Sequence, residues 1–148
     1  MKQKTTFAYL AVSLLSVAIT ALAWVLNFGW FRLFLLAVMA PIIHAAIFVA
    51  VNMFAASFIS KCPKIRIVNL FFVITYILPN IFFPDAGDSG ATYSCFGLID
   101  DISFTNFAWT ASALLFVVHI VLLVVQIVMM INVKYKFKRA ERKGETTV

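Results

Sequence analysis

The sequence predicts an all-α integral membrane protein with four transmembrane helices and both termini cytoplasmic, assembled as an oligomeric helical bundle. Three observations carry this expectation. The 148 residues are 64% hydrophobic and 12% charged, whereas a soluble domain carries about 25% charged residues. The apolar residues fall in long blocks of about 20, the length of one helical crossing of a bilayer. The basic residues lie in every second gap between those blocks, the pattern that cytoplasmic loops follow. Membrane strands are the alternative, but they run to about 10 residues and alternate in polarity. These blocks are longer and do not alternate, and a helix satisfies its backbone within the segment.

The first span covers about 7–27. Lys2 and Lys4 precede it as they would a signal peptide, and Ala21-Leu22-Ala23 resembles a cleavage site. The apolar run reaches Phe28, beyond the about 7–15 residues of a signal core, so the segment is expected to stay as a helix. Ser13, Ser16 and Thr20, continued by Trp24 and Asn27, step by three or four and share one helical face. Such small hydroxyl residues suit a close-packed helix seam.

Gly29 marks a tight turn into the second span, about 31–58. Pro41, His44 and Asn52 interrupt its apolar run, and Pro41 removes a donor and can bend the helix above His44. A polar connector at 60–64 ends this span at Pro63. The third span is shorter, about 67–83, with Thr75, Tyr76, Pro79 and Asn80 forming a polar, kinked outer half. Residues 84–106 form the one sizeable loop, broken by Pro84, Gly87, Gly90 and Gly97. The fourth span covers about 107–132. Residues 1–133 are thus the transmembrane domain and 134–148 a basic cytoplasmic tail.

Every Lys and Arg except Arg32 falls on one side of this topology, and all four Asp fall on the other. The basic side is cytoplasmic by the positive-inside rule. Trp24, Trp30 and Trp109 mark the outer helix ends. Cys62 and Cys95 lie on opposite faces and cannot bond to each other; Cys95 is either free or pairs between molecules. No asparagine opens a glycosylation signal, which favours a bacterial inner membrane.

His44 and His119 fall at the midpoints of spans two and four, and both helices run inward. Asn52 and Gln126 follow them on the same faces, about two turns on. Two readings follow. Neutral His, Asn and Gln can hold helices together by hydrogen bonds worth about 0.6 kcal/mol each. Alternatively, a histidine inside the membrane is a candidate proton or ion site. No Asp, Glu, Lys or Arg lies in the apolar core of any span, which favours the structural reading.

The outer loop carries Asp85, Asp88, Asp100 and Asp101 and is expected to form an exposed contact surface. Its opening D-x-x-D-x-G lacks the remaining ligands of a calcium loop. Beyond span four, Lys134, Lys136, Lys138, Arg139, Arg142 and Lys143 form the densest charge cluster. Anionic headgroups attract such residues, and a cytoplasmic protein could dock on them. Direct nucleic-acid binding is not expected, because no folded reader accompanies the cluster. No catalytic triad, carboxylate pair, phosphate loop or metal spacing appears, so neither an enzyme, a cofactor nor a metal site is expected.

With an acidic outer loop and basic cytoplasmic ends, this architecture resembles small four-helix bacterial inner-membrane subunits. Colicin immunity proteins and the membrane subunit of Kiwa-type anti-phage systems are among them. The resemblance implies pairing with a cytoplasmic effector. The expected function is a non-enzymatic membrane subunit, oligomeric, that senses or anchors at the envelope and contacts a cytoplasmic protein. A small oligomeric transporter or channel built around His44 and His119 is the alternative.

Overall fold

The computed structural model describes residues 2–86 and 92–143; Asp88 and the end of the tail lie outside the described residues. Among the described residues five helices follow one another: α1 (Lys2–Leu26), α2 (Trp30–Ala37), α3 (Ala40–Ala56), α4 (Lys64–Phe82) and α5 (Ile102–Arg142). A two-residue antiparallel ribbon pairs Asp85 with Tyr93 and Ala86 with Thr92 in the loop before α5. α1, α4 and α5 are each long and apolar enough to cross a membrane, and the bent pair α2–α3 makes a fourth crossing if counted as one span.

The surface and the interior are inverted relative to a soluble protein. Leu, Val, Ile and Phe side chains stand exposed along every long helix, while Ser13, Ser16, Asn52, Asn69, Thr75, Ser112, His119 and Gln126 are buried. In a bilayer the polar groups must find partners inside the protein, and apolar groups lose nothing by facing lipid. The apolar core is correspondingly small, centred on Phe48, Val51, Ala55, Ile65, Phe72, Tyr76 and Met130 where α3, α4 and α5 meet.

Span two is not one helix. α2 ends at Ala37 and α3 begins at Ala40, with a bend of 68° between them. Pro41 is the reason, though the break lies above it. In a continuous helix Pro41 would have to donate to Ala37 and its ring would press on that carbonyl. The chain instead stops α2 at Ala37, turns through Met39 in the left-handed region (φ 60°), and restarts with Pro41 in the first turn. There its missing N–H is one of the donors that lack a helical partner anyway. Met39 and Leu36 close the turn by a backbone hydrogen bond of 2.9 Å.

α5 exceeds the expected fourth span at both ends. Its first turn is capped by Asp101, whose carboxylate accepts from the Phe104 N–H at 2.7 Å. At the other end the helix runs on through the basic cluster to Arg142. At 1.5 Å per residue, this helix of 41 residues is about 60 Å long, twice the about 30 Å of a hydrocarbon core.

Candidate functional site

The end of the bundle where α1 and α4 finish and α2 and α5 start, here the loop end, is organised by Arg32. This residue is only 1% exposed. A buried guanidinium must be paired and hydrogen-bonded, and Arg32 finds its acceptors on two helix C-termini. One terminal nitrogen donates to the Ala23 carbonyl at 2.6 Å, and the other donates to the carbonyls of Asn80 and Phe83 at 3.0 and 2.7 Å. The last carbonyls of a helix lack helical donors and carry the negative end of its dipole. One cation therefore ties the ends of α1 and α4 to the start of α2. Trp24 and Phe83 lie 5.4 and 5.8 Å from the guanidinium carbon, within cation–π range.

Asp85 completes the arrangement from the loop. Expected on an exposed acidic surface, it is buried instead. α2 has no side-chain cap of its own, and the Asp85 carboxylate supplies one, accepting from the backbone N–H groups of Phe31 and Arg32 at 3.2 and 2.8 Å. A carboxylate at a helix N-terminus is favoured by the dipole and by the free donors there. Asp100 and Asp101 remain exposed.

The stripe on α1 divides by height. Ser13 and Ser16 donate to their own helix, to the carbonyls of Tyr9 and Val12, each at 2.7 Å. They let helices approach without bonding across the seam. At the loop end the stripe does bond across: Trp24 Nε1 donates to Asn80 Oδ1 at 2.8 Å, and Asn27 Nδ2 donates to the Ile81 carbonyl at 3.3 Å. Asn27 also accepts from the Gly97 N–H. Gly97 has φ +75°, and a Cβ there would meet the Leu26 carbonyl oxygen at 2.8 Å. Only glycine lets the loop fold this closely over α1.

Beneath Arg32 lies a cavity of about 380 Å³ between α1, the α2–α3 bend, α4 and α5. Its aromatic lining includes Trp24, Phe31, Tyr76, Phe83, Trp109 and Phe116, and its polar lining Thr20, Arg32, His44, Asn80 and Ser112. Phe31, Phe83 and Trp109 pack against one another, with ring centroids 4.7–6.5 Å apart. Leu35, Ala40 and Pro41, on either side of the 68° bend, form one of its walls.

At the floor of the cavity the structure brings the two histidines together. The rings of His44 and His119 meet edge to face with centroids 5.0 Å apart. His119 stacks on Phe72 at 4.5 Å, and its Nδ1 lies 3.3 Å from the Thr75 hydroxyl. That hydroxyl has one proton and donates it to the Phe71 carbonyl at 2.8 Å. If that proton stays directed at the carbonyl, the hydroxyl accepts from His119 and the imidazole proton is on Nδ1; the opposite tautomer reverses the roles. Neither Nε2 has a protein partner.

Asn52 and Gln126 do not pair. Gln126 Nε2 donates to Asn69 Oδ1 of α4 at 2.6 Å, and Asn52 donates to the Phe48 carbonyl of its own helix at 3.0 Å. The second polar level therefore joins α5 to α4, along which α5 packs most extensively, and not to span two. Asn69 is a partner the sequence reading missed, although it steps by seven to Tyr76 and so shares the polar face of that helix. Arg32 was missed as well, being read only as a stray charge.

At the other end of the bundle, Lys134, Lys136, Lys138, Arg139 and Arg142 are exposed on α5 and Lys143 is exposed just past its end. Phe137 is half-buried, with the Lys61 ammonium 4.2 Å from its ring centroid. The connector after α3 thus rests on the extension of α5 and turns its basic face outward. Among the described residues no group of three or more His, Cys, Asp or Glu could hold a metal. No family model, no curated protein and no solved structure matches this chain.

Proposed function

We propose that this chain is a non-enzymatic subunit of the bacterial inner membrane that anchors a cytoplasmic protein and reports to it the state of its outer half. The observation that carries this reading is the length and continuity of α5. One unbroken helix lines the cavity with Trp109, Ser112 and Phe116 and ends in five exposed basic residues, Lys134 to Arg142, about 50–60 Å from its start. A rigid helix is the simplest device for making a displacement at one end felt at the other. The basic end suits an acidic protein surface, with anionic headgroups of the inner leaflet holding it in place between encounters.

The distribution of charge supports the orientation, with the basic end cytoplasmic and the Arg32 node outside. The resemblance to four-helix subunits of colicin immunity and Kiwa-type anti-phage systems points to a defence setting and to a soluble effector as the partner. An oligomer fits these small subunits too, although the polar residues Ser13, Ser16, Asn52, His119 and Gln126 are already buried within one chain.

Co-expression with the soluble proteins encoded beside it, followed by purification in mild detergent, tests the reading. A stoichiometric complex that is lost on removal of residues 134–148 supports it. The second reading, a small transporter or channel, draws on the contact between His44 and His119 below the cavity. Proton flux through liposomes containing the chain alone, abolished by His44→Ala, would replace the first reading with the second.

A further inference from the structure

The cavity beneath Arg32 has the chemistry of a ligand site whose ligand comes from the bilayer. Phe31, Trp109, Ala113 and Phe116 line it and are themselves exposed on the lipid-facing side, so its mouth opens on hydrocarbon. Polar groups at its walls without a hydrogen-bond partner in the protein include Arg32 Nε, the Ser112 hydroxyl and His44 Nε2. Arg32 and Ser112 are 1% and 2% exposed. A buried donor without an acceptor is costly, so such a group is an invitation to a ligand that brings one.

We propose that this cavity binds the head ring of a membrane-dissolved quinone. The ligand must be soluble in lipid to reach the mouth, which favours an apolar tail. It must be flat and aromatic or conjugated to pack against the aromatic wall of Phe83, Trp109 and Phe116 by stacked or edge-on contacts. It must bring acceptors, since Arg32 Nε–H can only donate, Ser112 can donate, and His44 can donate by choice of tautomer. A quinone head has two carbonyl acceptors on opposite edges of one ring. The volume of about 380 Å³ holds that ring and the start of its tail.

The electrostatics argue against a charged ligand. The terminal nitrogens of Arg32 already serve three carbonyls, and the Asp85 carboxylate sits on the backbone of the same residue. A second anion would enter beside that carboxylate, and a cation would meet the guanidinium. An uncharged acceptor meets neither penalty. The site needs no cytoplasmic partner, so binding can be tested on the isolated chain.

The experiment is a titration of the full chain in phosphatidylcholine nanodiscs with decylubiquinone, read by tryptophan fluorescence. Trp24 and Trp109 line the cavity, and the lipid-facing Trp30 is removed by Trp30→Phe to lower the background. Saturable quenching at one quinone per chain is expected. Ser112→Ala should weaken it about three- to tenfold, in line with one lost hydrogen bond. Ala113→Phe, which fills the cavity from its rim, should abolish it. Decylbenzene, with a flat six-membered ring and the same tail but no carbonyls, and laurate, with an anionic head, should not displace the quinone. Quenching that rises linearly with quinone in the bilayer and is unchanged in both variants overturns the proposal. So does displacement by decylbenzene or laurate as effective as by further quinone. Ser112→Ala alone decides the matter should Ala113→Phe not fold.

Discussion

Arg32 does more for the architecture than any other single residue. Its guanidinium joins three chain segments through acceptors that would otherwise be open helix ends. Arg32→Leu is therefore expected to lower stability by about 3 kcal/mol, the scale of losing hydrogen bonds to a charged group. Arg32→Lys should fall only part of the way less, because an ammonium cannot reproduce the planar fork that reaches two helix ends. Thermal unfolding in detergent measures both, and a shift near zero for Arg32→Leu would remove Arg32 from its central place. The Gln126–Asn69 pair makes a quantitative companion. A double-mutant cycle with leucine at each position should return a coupling of about 0.6 kcal/mol and no more than about 1.7, whereas the same cycle on Gln126 and Asn52 should return none.

The helices show which features a sequence can reveal and which it cannot. Crossing a bilayer demands length and hydropathy, both properties of the chain read in one dimension, and so α1, α4 and α5 were legible. The bent pair was expected as one span, because nothing local to Ala37 or Met39 announces a break. Proline marks a disturbance, yet the turn that relieves it forms where the preceding carbonyl would clash, four residues earlier in the chain. Met39, held at φ 60°, gives this account a test. Left-handed backbone costs a residue with a Cβ about 1–2 kcal/mol and costs a β-branched residue more. Met39→Gly should be neutral or stabilising, and Met39→Val destabilising, in the same unfolding measurement. The helical extension of α5 through Arg142 follows from good helix formers such as Lys, Arg and Ala in that stretch. The reading stopped at the hydropathy boundary because only apolar length marks the membrane.

At the scale of the whole molecule, side chains meet that no spacing rule connects. His44 and His119 could be placed at one level from the midpoints of their spans, and their rings do meet. The Arg32 node could not be placed, since it gathers residues 23, 32, 80, 83 and 85 from segments whose ends meet only when the bundle is assembled. The signal in the sequence is that Arg32 is the one basic residue on the side that carries the aspartates.

Everything proposed about function stands on orientation: the cavity and its Arg32 node outside, the basic end of α5 inside. The chain carries its own reporters, because Cys95 lies in the loop, Cys62 lies in the connector, and neither is in a disulfide within the chain. Burial pushes the Cys95 thiol above its ordinary value. Less of it is thiolate at neutral pH, so its alkylation should be slow there and quicken as the pH is raised. The deciding measurement is labelling of spheroplasts with a membrane-impermeant maleimide, using Cys62→Ser and Cys95→Ser to assign the signal. Cys95 should react from outside, and Cys62 only after permeabilisation. Labelling of Cys62 in intact spheroplasts, with Cys95 protected until they are opened, would invert the topology and contradict the account.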